Sequence, residues 1–257
     1  MVMFYLGVHR GHWDLGVPTF VSARTLRRRV PDWPAHNGPE AIDSGGFTEI
    51  SKHGKWRTSP EQYAAELMKW TDTRGAPEWA APQDWMCEPD MLAKTGKTIE
   101  EHQALSVASV LRLRELASGV HVIPVLQGWD VDDYVDCVDL YESAGFDLRS
   151  EPVVGVGTVC RRQDTSEGNH IIRTLAGMGL RLHGFGYKTT GLLAVQEHMH
   201  SADSMAWSLN ARKNAPLPEC SHANCCNCWR YAMRWRSRLL QRLAWGRAQQ
   251  PMFGSLQ

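Results

Sequence analysis

Short apolar runs recur along the chain, and most are separated by stretches whose apolar residues follow helical spacing. The later runs are almost continuously apolar, as in strands that are buried on both faces of a parallel sheet. An alternation of strands and helices of this kind predicts an α/β fold. The runs predict eight strands, at residues 4–9, 19–22, 41–43, 79–86, 121–126, 153–159, 182–186 and 201–207.

Helix start signals stand between these strands. Ser59 precedes a proline and has Gln62 three positions later, and Thr98 has Glu101 three positions later, so both pairs predict a capping box. Eight predicted strands with helices in most of the gaps, in 257 residues, predict a closed (β/α)8 TIM-like barrel that forms a single domain over residues 1–257. An open, doubly wound sheet is the alternative.

Two carboxylates stand where predicted strands end. Asp43 follows the third run and precedes a Ser-Gly-Gly turn, and Asp203 lies in the eighth run. Active sites of α/β proteins form at the carboxyl ends of the strands, so the two side chains are expected to face one cleft. One ionised carboxylate can attack an anomeric carbon while the other moves protons on the leaving and entering groups.

Further residues at predicted strand ends fit a flat, polar ligand. Gly45 can adopt positive φ and let a ring approach the backbone, and Phe47 can stack on that ring. Asp84 can accept two N–H bonds from a guanine-like edge, and Gln127 or a backbone N–H near Gly157 can donate to a ring carbonyl. Each polar group also fits an ordinary capping or strand-end hydrogen bond.

Four of the seven cysteines lie between residues 220 and 228, which indicates a metal site and a reducing compartment rather than a disulfide framework. Cys220, His222, Cys225 and Cys228 form the pattern C-x-H-x2-C-x2-C. Three thiolates and one imidazole suit a tetrahedral, structural Zn2+. Cys226 is the alternative third ligand.

The predicted zinc-binding subregion, about residues 215–249, continues into an arginine-rich helix. No acidic residue lies between residues 229 and 247, and Arg234 and Arg238 are the predicted phosphate contacts. A solvated helix docked on the barrel is the alternative, as it is for the basic run 24–29. The arginines of the helix are Arg230, Arg234, Arg236, Arg238, Arg242 and Arg247.

Composition restricts the classes of partner. Lys and Arg number 28, as do Asp and Glu, so any basic surface must be local. No apolar run reaches the roughly 18 residues of a membrane span, and the N-terminus lacks the layout of a signal peptide. We therefore expect no membrane partner.

Seven sequence blocks occur together in one order, and together they are far more specific than any one of them. Together they resemble the tRNA-guanine transglycosylase superfamily, and most of all its DpdA-type branch, the DNA deazapurine transglycosylases. The blocks are DSGGF at 43–47, APQDWMCE at 81–88, PVLQGW at 124–129, GVGTVCRR at 155–162, HGFG at 183–186, ADSMAW at 202–207 and NCWRYA at 227–232.

The resemblance implies a pentosyltransferase that exchanges guanine in nucleic acid for a 7-deazaguanine, such as 7-cyano-7-deazaguanine. By the family pattern Asp203 is the nucleophile on C1′, Asp43 is the general acid and base, and Phe47 stacks on the base. The remaining implied substrate contacts are Ser44, Gly45, Asp84, Gln127, Gly128 and Gly157.

The resemblance also implies partners and a compartment. The expected partners are double-stranded DNA with an extruded target base and a free 7-deazaguanine base. Other DNA-modification proteins are a further class of partner that the sequence leaves open. The protein is expected to be cytoplasmic and encoded by a bacterium or a phage.

Two departures from the tRNA enzymes favour DNA as the polymer. Those enzymes have Gln-Gly-Gly where this chain has Gln127-Gly128-Trp129, and their zinc-binding histidine is distant whereas His222 lies inside the cluster. The chain is also shorter. A tRNA-modifying enzyme and a non-catalytic nucleic-acid-binding subunit of the same fold are the alternatives.

Overall fold

The computed structural model describes residues 2–28, 34–159, 162–163, 165–187 and 189–248, with only the backbone at 247–248. The side chain of Arg247 and the residues Arg29, Cys160 and Arg161, which the sequence motifs include, lie outside this description, as do residues 249–257. Within the described residues no helix is both long and apolar enough to cross a bilayer.

Eight strands form one sheet in which all paired neighbours are parallel, in the order β4-β3-β2-β1-β8-β7-β6-β5. The two ends of this order meet at a parallel bridge between Ala80 and Val122, so the sheet curls round on itself. The predicted (β/α)8 fold is confirmed. The strands are β1 Met3–Val8, β2 Thr19–Ser22, β3 Glu40–Asp43, β4 Trp79–Ala80, β5 Val125–Leu126, β6 Val154–Val156, β7 Leu182–Gly184 and β8 Ser201–Ser204.

Helices alternate with the strands and cover the outside of the sheet. The predicted capping boxes at Ser59 and Thr98 are confirmed, because each side chain accepts from the backbone N–H three residues later at 3.2 Å. The helices are α1 Ala23–Leu26, α2 Gly46–His53, α3 Pro60–Arg74, α4 Pro89–Thr95, α5 Ile99–Leu116, α6 Val131–Ser143, α7 Ser166–Gly177, α8 Thr189–Val195, α9 Ala206–Lys213 and α10 Trp229–Ala248.

Several strands are shorter than the apolar runs that predicted them. The run 79–86 is a strand only over β4 and the run 121–126 only over β5, because Pro82 and Pro124 cannot donate to a ladder. The runs 153–159, 182–186 and 201–207 leave the sheet early, where the chain turns towards the next helix. The bounds of these strands in the sequence analysis were therefore wrong, although each strand exists.

Alternate strand positions divide the core into two layers. Tyr5, Ala41 and Trp79 belong to a cluster inside the barrel, whereas Leu6 belongs to the larger cluster between the sheet and the helices. Successive side chains of a strand point to opposite faces. Asp43, two residues after Ala41, therefore points into the barrel at its carboxyl end.

Candidate functional site

A cavity of about 240 Å³ lies at the carboxyl ends of the strands. This volume lies just below the roughly 300–1,000 Å³ of pockets for drug-sized ligands, which suits a single small heterocycle. Phe20, Phe47 and Phe185 supply aromatic walls. The acidic side chains that line it, among the described residues, are Asp43, Asp84, Glu88 and Asp203.

Asp43 and Asp203 reach this cavity from strands on either side of β1 and β2. Asp43 ends β3 beside Ser22 of β2, and Asp203 of β8 is in register with Tyr5 of β1. Register partners in a parallel sheet point to the same face, and Tyr5 lies in the interior cluster. The structure thus brings the two predicted catalytic carboxylates to one cavity.

The turn after β3 holds the Asp43 carboxylate. Gly45 has φ +86°, a left-handed conformation that glycine adopts without strain, and it is the N-cap residue of α2. Its N–H donates to Asp43 Oδ1 at 3.1 Å. Burial raises the pKa of Asp43, and the negative charge of Asp203 raises it further, against the Gly45 N–H and the Ser22 hydroxyl, which lower it. Asp43 therefore retains a proton more readily than an ordinary aspartate, as a general acid requires.

Asp203 is buried, with one backbone hydrogen bond to its carboxylate and an imidazole close to it. The Gly186 N–H donates to Asp203 Oδ1 at 2.8 Å, and His183 Nε2 lies 3.4 Å from the same oxygen. His183 is fully buried, with Nδ1 2.9 Å from Ser201 Oγ and its ring packed edge-on against Trp79 at 4.6 Å. The imidazole therefore lies beneath the Asp203 carboxylate inside the barrel, but its Nε2 makes no hydrogen bond with the described residues.

Sequence reasoning missed His183 as a site residue, although it opens HGFG, one of the blocks that carry the family resemblance. The signal was a polar ring within the apolar run of β7. His183 is in register with Ser201, two residues before Asp203, so both lie beneath the carboxylate on the interior face. Interior residues of the adjacent strands β7 and β8 thus lie beneath the Asp203 side chain.

Asp84 is oriented by a chain of side-chain hydrogen bonds. Gln127 Nε2 donates to Asp84 Oδ2 at 2.6 Å, and Thr158 Oγ1 donates to Gln127 Oε1 at 2.6 Å. The Cys87 N–H in turn donates to Thr158 Oγ1 at 2.9 Å. Gln127 is fully buried and does not line the cavity, so its amide positions Asp84.

The pKa of Asp84 is raised to about 7, chiefly by burial and then by the negative charge of Asp43. The hydrogen bond from Gln127 lowers this pKa, and the charge of Glu88 raises it. Asp84 therefore exchanges its proton near neutral pH. An ionised carboxylate accepts two N–H bonds, whereas a protonated one presents a donor, so the state of Asp84 decides which ring edge it can bind.

Gly157 contributes space rather than a hydrogen bond. Its N–H donates to Leu126 O at 2.9 Å within the sheet, and a Cβ at this position would lie 2.2 Å from Gln127 Nε2. The next residue, Thr158, lines the cavity with φ +57°, which is rare for a β-branched residue. A strained backbone at this point positions the Thr158 hydroxyl for the chain of bonds to Asp84.

The other predicted substrate contacts divide into two groups. Phe47 is 43% exposed at the edge of the cavity, where a ring can stack on it. Ser44, Gly45 and Gly128 do not line the cavity, and Gly128 packs against the first turn of α6, where a Cβ would lie 2.8 Å from Asp133 Cβ. Their direct contact with substrate stays a prediction.

Glu88 was not predicted as a site residue. It is buried, lines the cavity and stands at the N-cap position of α4. It lies four residues after Asp84 in the same sequence block, and that proximity was the available signal. Thr158, directly after Gly157, was missed in the same way.

The predicted Cys/His cluster is brought together at the start of α10. The ligand atoms of Cys220, His222, Cys225 and Cys228 all lie within 4.8 Å of one another, and Cys226 is not part of the group. Cys220 Sγ and Cys228 Sγ are 3.7 Å apart, and His222 Nε2 is 3.1 Å from Cys225 Sγ. Two sulfurs bonded tetrahedrally to one metal at about 2.3 Å would be about 3.8 Å apart. The residues therefore fit a tetrahedral metal ion.

Helix α10 runs from the site end of the barrel towards the opposite end. Near its start, the Cys226 carbonyl accepts from Ser208 Oγ of α9 at 2.8 Å. Farther along, the ring of Trp235 lies 6.0 Å from that of Phe4, near the amino end of β1. Arg238 follows three residues later, so it lies away from the cavity.

Arg234 has an acidic partner that the local sequence did not reveal. Its Nη2 lies 2.6 Å from Glu219 Oε1, in the loop that leads to the Cys/His cluster. The absence of acids between 229 and 247 therefore did not leave this arginine unpaired. The contact of Arg234 and Arg238 with phosphate stays a prediction.

Comparison with known proteins gives one family. The family model described as DpdA, DeoxyPurine in DNA protein A, matches residues 1–252. No curated protein matches the chain. The family match covers nearly the whole chain and confirms the resemblance that the sequence blocks indicate.

The raised pKa of Asp84 predicts a pH-dependent effect of Asp84→Asn on stability. The folded state binds this proton more tightly than the unfolded chain, so the wild type loses stability as pH rises from about 4 to about 7. The loss is on the order of 1 kcal/mol per pH unit. Urea unfolding should show the stability of the variant, relative to wild type, rising over this range and levelling above it.

The matched control is Asp72→Asn, the same substitution on the exposed face of α3, measured over the same pH range. A difference for Asp84→Asn that stays constant between pH 4 and 7 would contradict the assigned environment of Asp84.

Proposed function

Because the chain belongs to the DpdA family, we propose that it is a DNA-guanine transglycosylase that exchanges guanine for a 7-deazaguanine such as 7-cyano-7-deazaguanine. The observation that carries the proposal is the placement of Asp43 and Asp203, from separate strands, on one base-sized cavity. The different surroundings of the two carboxylates support different roles for them.

In the first step, an ionised Asp203 oxygen attacks C1′ of the target nucleotide while the C1′–N9 bond breaks. The departing guanine takes the bonding electron pair and needs a proton at N9. Asp43, whose pKa burial raises, donates that proton and becomes ionised. The product is a covalent ester between Asp203 and the sugar.

In the second step, a free 7-deazaguanine occupies the place of guanine. Its N9 attacks C1′ as the bond to the Asp203 oxygen breaks, and Asp43 accepts the N9 proton. Two displacements at one carbon retain the configuration of the glycosidic bond. Both aspartates return to their starting protonation states, so no other reactant is needed.

Asp84 is the residue best placed to recognise the base. When ionised, it can accept the two N–H groups on the edge that guanine and 7-deazaguanine share. The Gln127–Thr158 chain holds its carboxylate in place, and Phe47 offers a stacking surface at the edge of the cavity. Base binding therefore requires the deprotonated form of Asp84.

Incorporation of labelled guanine tests this function, because exchange of guanine for itself needs only the enzyme and the polymer. Wild-type protein should introduce label into duplex DNA and not into tRNA. Label in tRNA alone would make the protein a tRNA-modifying enzyme. No label in either polymer would support a non-catalytic subunit and contradict the proposal.

Variants at the two carboxylates separate their roles. Asp203→Asn removes the nucleophile with little change of shape, so exchange should vanish. Asp43→Ala removes the proton donor and should slow exchange by about 10²–10⁴-fold. Glu61→Gln, on the exposed start of α3, is the control and should exchange at the wild-type rate. Exchange by Asp203→Asn at a rate above that of Asp43→Ala would reverse the assignment.

We also propose that the Cys/His cluster holds one structural Zn2+. Cys220, His222, Cys225 and Cys228 are soft and borderline donors that suit this ion, and four protein ligands leave no open position for substrate. The metal would tie the 215–228 loop to the start of α10. Ser208 of α9 donates a hydrogen bond to this loop, so the bound metal would also stabilise α9, the helix that follows β8.

Metal analysis of purified protein should find one zinc per chain. Cys228→Ala should lose the metal and make the C-terminal segment sensitive to protease, because structural zinc contributes directly to folding. Cys226→Ala is the matched control and should keep the zinc. Protein without zinc, or loss of zinc in Cys226→Ala but not in Cys225→Ala, would contradict the ligand set.

A further inference from the structure

The two catalytic carboxylates enclose a basic stretch of the barrel wall. Strands β1 and β2 lie between β8, which carries Asp203, and β3, which carries Asp43. The segments that follow β1, β2 and β8 rise above this part of the wall. They carry four exposed arginines, which we call the basic rim: Arg10, Arg24, Arg28 and Arg212.

Helix α9 is fastened over the carboxyl end of β1, which brings Arg212 towards Arg10. Trp207 Nε1 donates to Gly7 O at 2.8 Å, and the Trp207 ring stacks on His9 at 5.4 Å and 17°. Arg10 follows His9 directly, and Arg212 lies in the last turn of α9.

The environment of His9 places three of these arginines around it. Burial lowers the pKa of His9, and the positive charges of Arg10, Arg28 and Arg212 lower it further, against a hydrogen bond with Asn227 that raises it. His9 is therefore neutral at physiological pH. The positive charge above β1 therefore comes from the guanidinium groups of Arg10, Arg28 and Arg212 and not from His9.

Arg24 extends the basic rim to the general acid. Its Nη1 donates to Thr48 Oγ1 of α2 at 2.7 Å, and its Cγ lies 2.8 Å from where a Cβ on Gly45 would be. The Arg24 side chain thus lies along the turn that holds Asp43. A group bound to its guanidinium would lie next to the reacting sugar.

Among the described residues, no arginine of the basic rim forms an ion pair with an acidic side chain, in contrast to Arg27 and Arg234. Arg27 pairs with Glu66 at 2.8 Å, and Arg234 pairs with Glu219 at 2.6 Å. The wall on the other side of the cavity carries Asp84 instead, after β4. The mouth of the cavity is therefore divided into an acidic, base-binding side and a basic side.

We propose that the basic rim binds the phosphates on either side of the extruded nucleotide of duplex DNA, which deepens the function proposed above and rests on it. With the base directed at Asp84 and C1′ held between Asp43 and Asp203, the sugar faces the wall of β1 and β2. The phosphates attached to that sugar then meet the guanidinium groups, which neutralise them and hold the nucleotide out of the duplex.

Salt-dependent binding of a fluorescent DNA duplex between about 50 and 200 mM salt tests the basic rim. Arg10→Gln with Arg212→Gln should weaken binding and reduce the log–log salt slope by about two units, since each lost phosphate contact removes about 0.9. Arg10→Lys with Arg212→Lys keeps both charges and should restore most of the slope. That restoration separates loss of charge from misfolding.

The matched control is Arg173→Gln with Arg181→Gln, which removes the same charge from exposed positions on α7 and just before the amino end of β7. Its slope should equal that of the wild type. An unchanged slope for the Arg10 and Arg212 pair, or an equal or larger change for the Arg173 and Arg181 pair, would overturn the proposal. A change seen with tRNA and not with DNA would overturn it as well.

Binding is measured without catalysis, so the two proposals fail separately. Wild-type protein that does not exchange labelled guanine in DNA contradicts the proposed function, whereas the salt slopes still decide whether the basic rim contacts the duplex. Normal exchange together with unaltered slopes in the Arg10 and Arg212 pair contradicts the basic rim alone.

Discussion

The close approach of several carboxylates in one small cavity is the constraint on which the site depends. Negative charges removed from water repel one another and favour the protonated form unless donors or cations compensate. The chain supplies this compensation separately at each carboxylate. The Gly45 N–H serves Asp43, the Gly186 N–H serves Asp203, and Gln127 serves Asp84. The turns and strand ends around the cavity place these donors within hydrogen-bond distance of the carboxylates.

The carboxylates differ in how far nearby donors stabilise their negative charge, and this difference suits them to different chemical roles. Burial raises the pKa of Asp43 and the charge of Asp203 raises it further, against the Gly45 N–H, so Asp43 keeps a proton more readily than an ordinary aspartate, which suits a general acid. Asp84 titrates near neutral pH and can present an ionised edge to a base. Pairs of acids whose surroundings separate their pKa values are a recurring way to divide acid and nucleophile roles. The basic rim adds positive charge on the one side of the cavity where the sugar and its phosphates must lie.

Local sequence patterns predicted the features that depend on near neighbours. The capping boxes at Ser59 and Thr98, the polar residues at strand ends and the Cys/His spacing each involve residues a few positions apart. The fold class predicted that Asp43 and Asp203 would meet, but the individual hydrogen bonds between distant residues were not predictable. Gln127 bonds to Asp84 across 43 positions, and Thr158 reaches Gln127 across 31. The strands near Pro82 and Pro124 were predicted too long, because the runs are apolar but a proline has no backbone N–H to donate to a neighbouring strand.

The central claim is that Asp203 forms the covalent bond to the sugar. It is tested most directly by trapping the enzyme on duplex DNA without a free base, digesting the complex and locating the attached sugar by peptide mass spectrometry. The account predicts a deoxyribose adduct on the peptide that contains Asp203, at that residue. An adduct on Asp43, Asp84 or Glu88, or base exchange without any adduct, would contradict it.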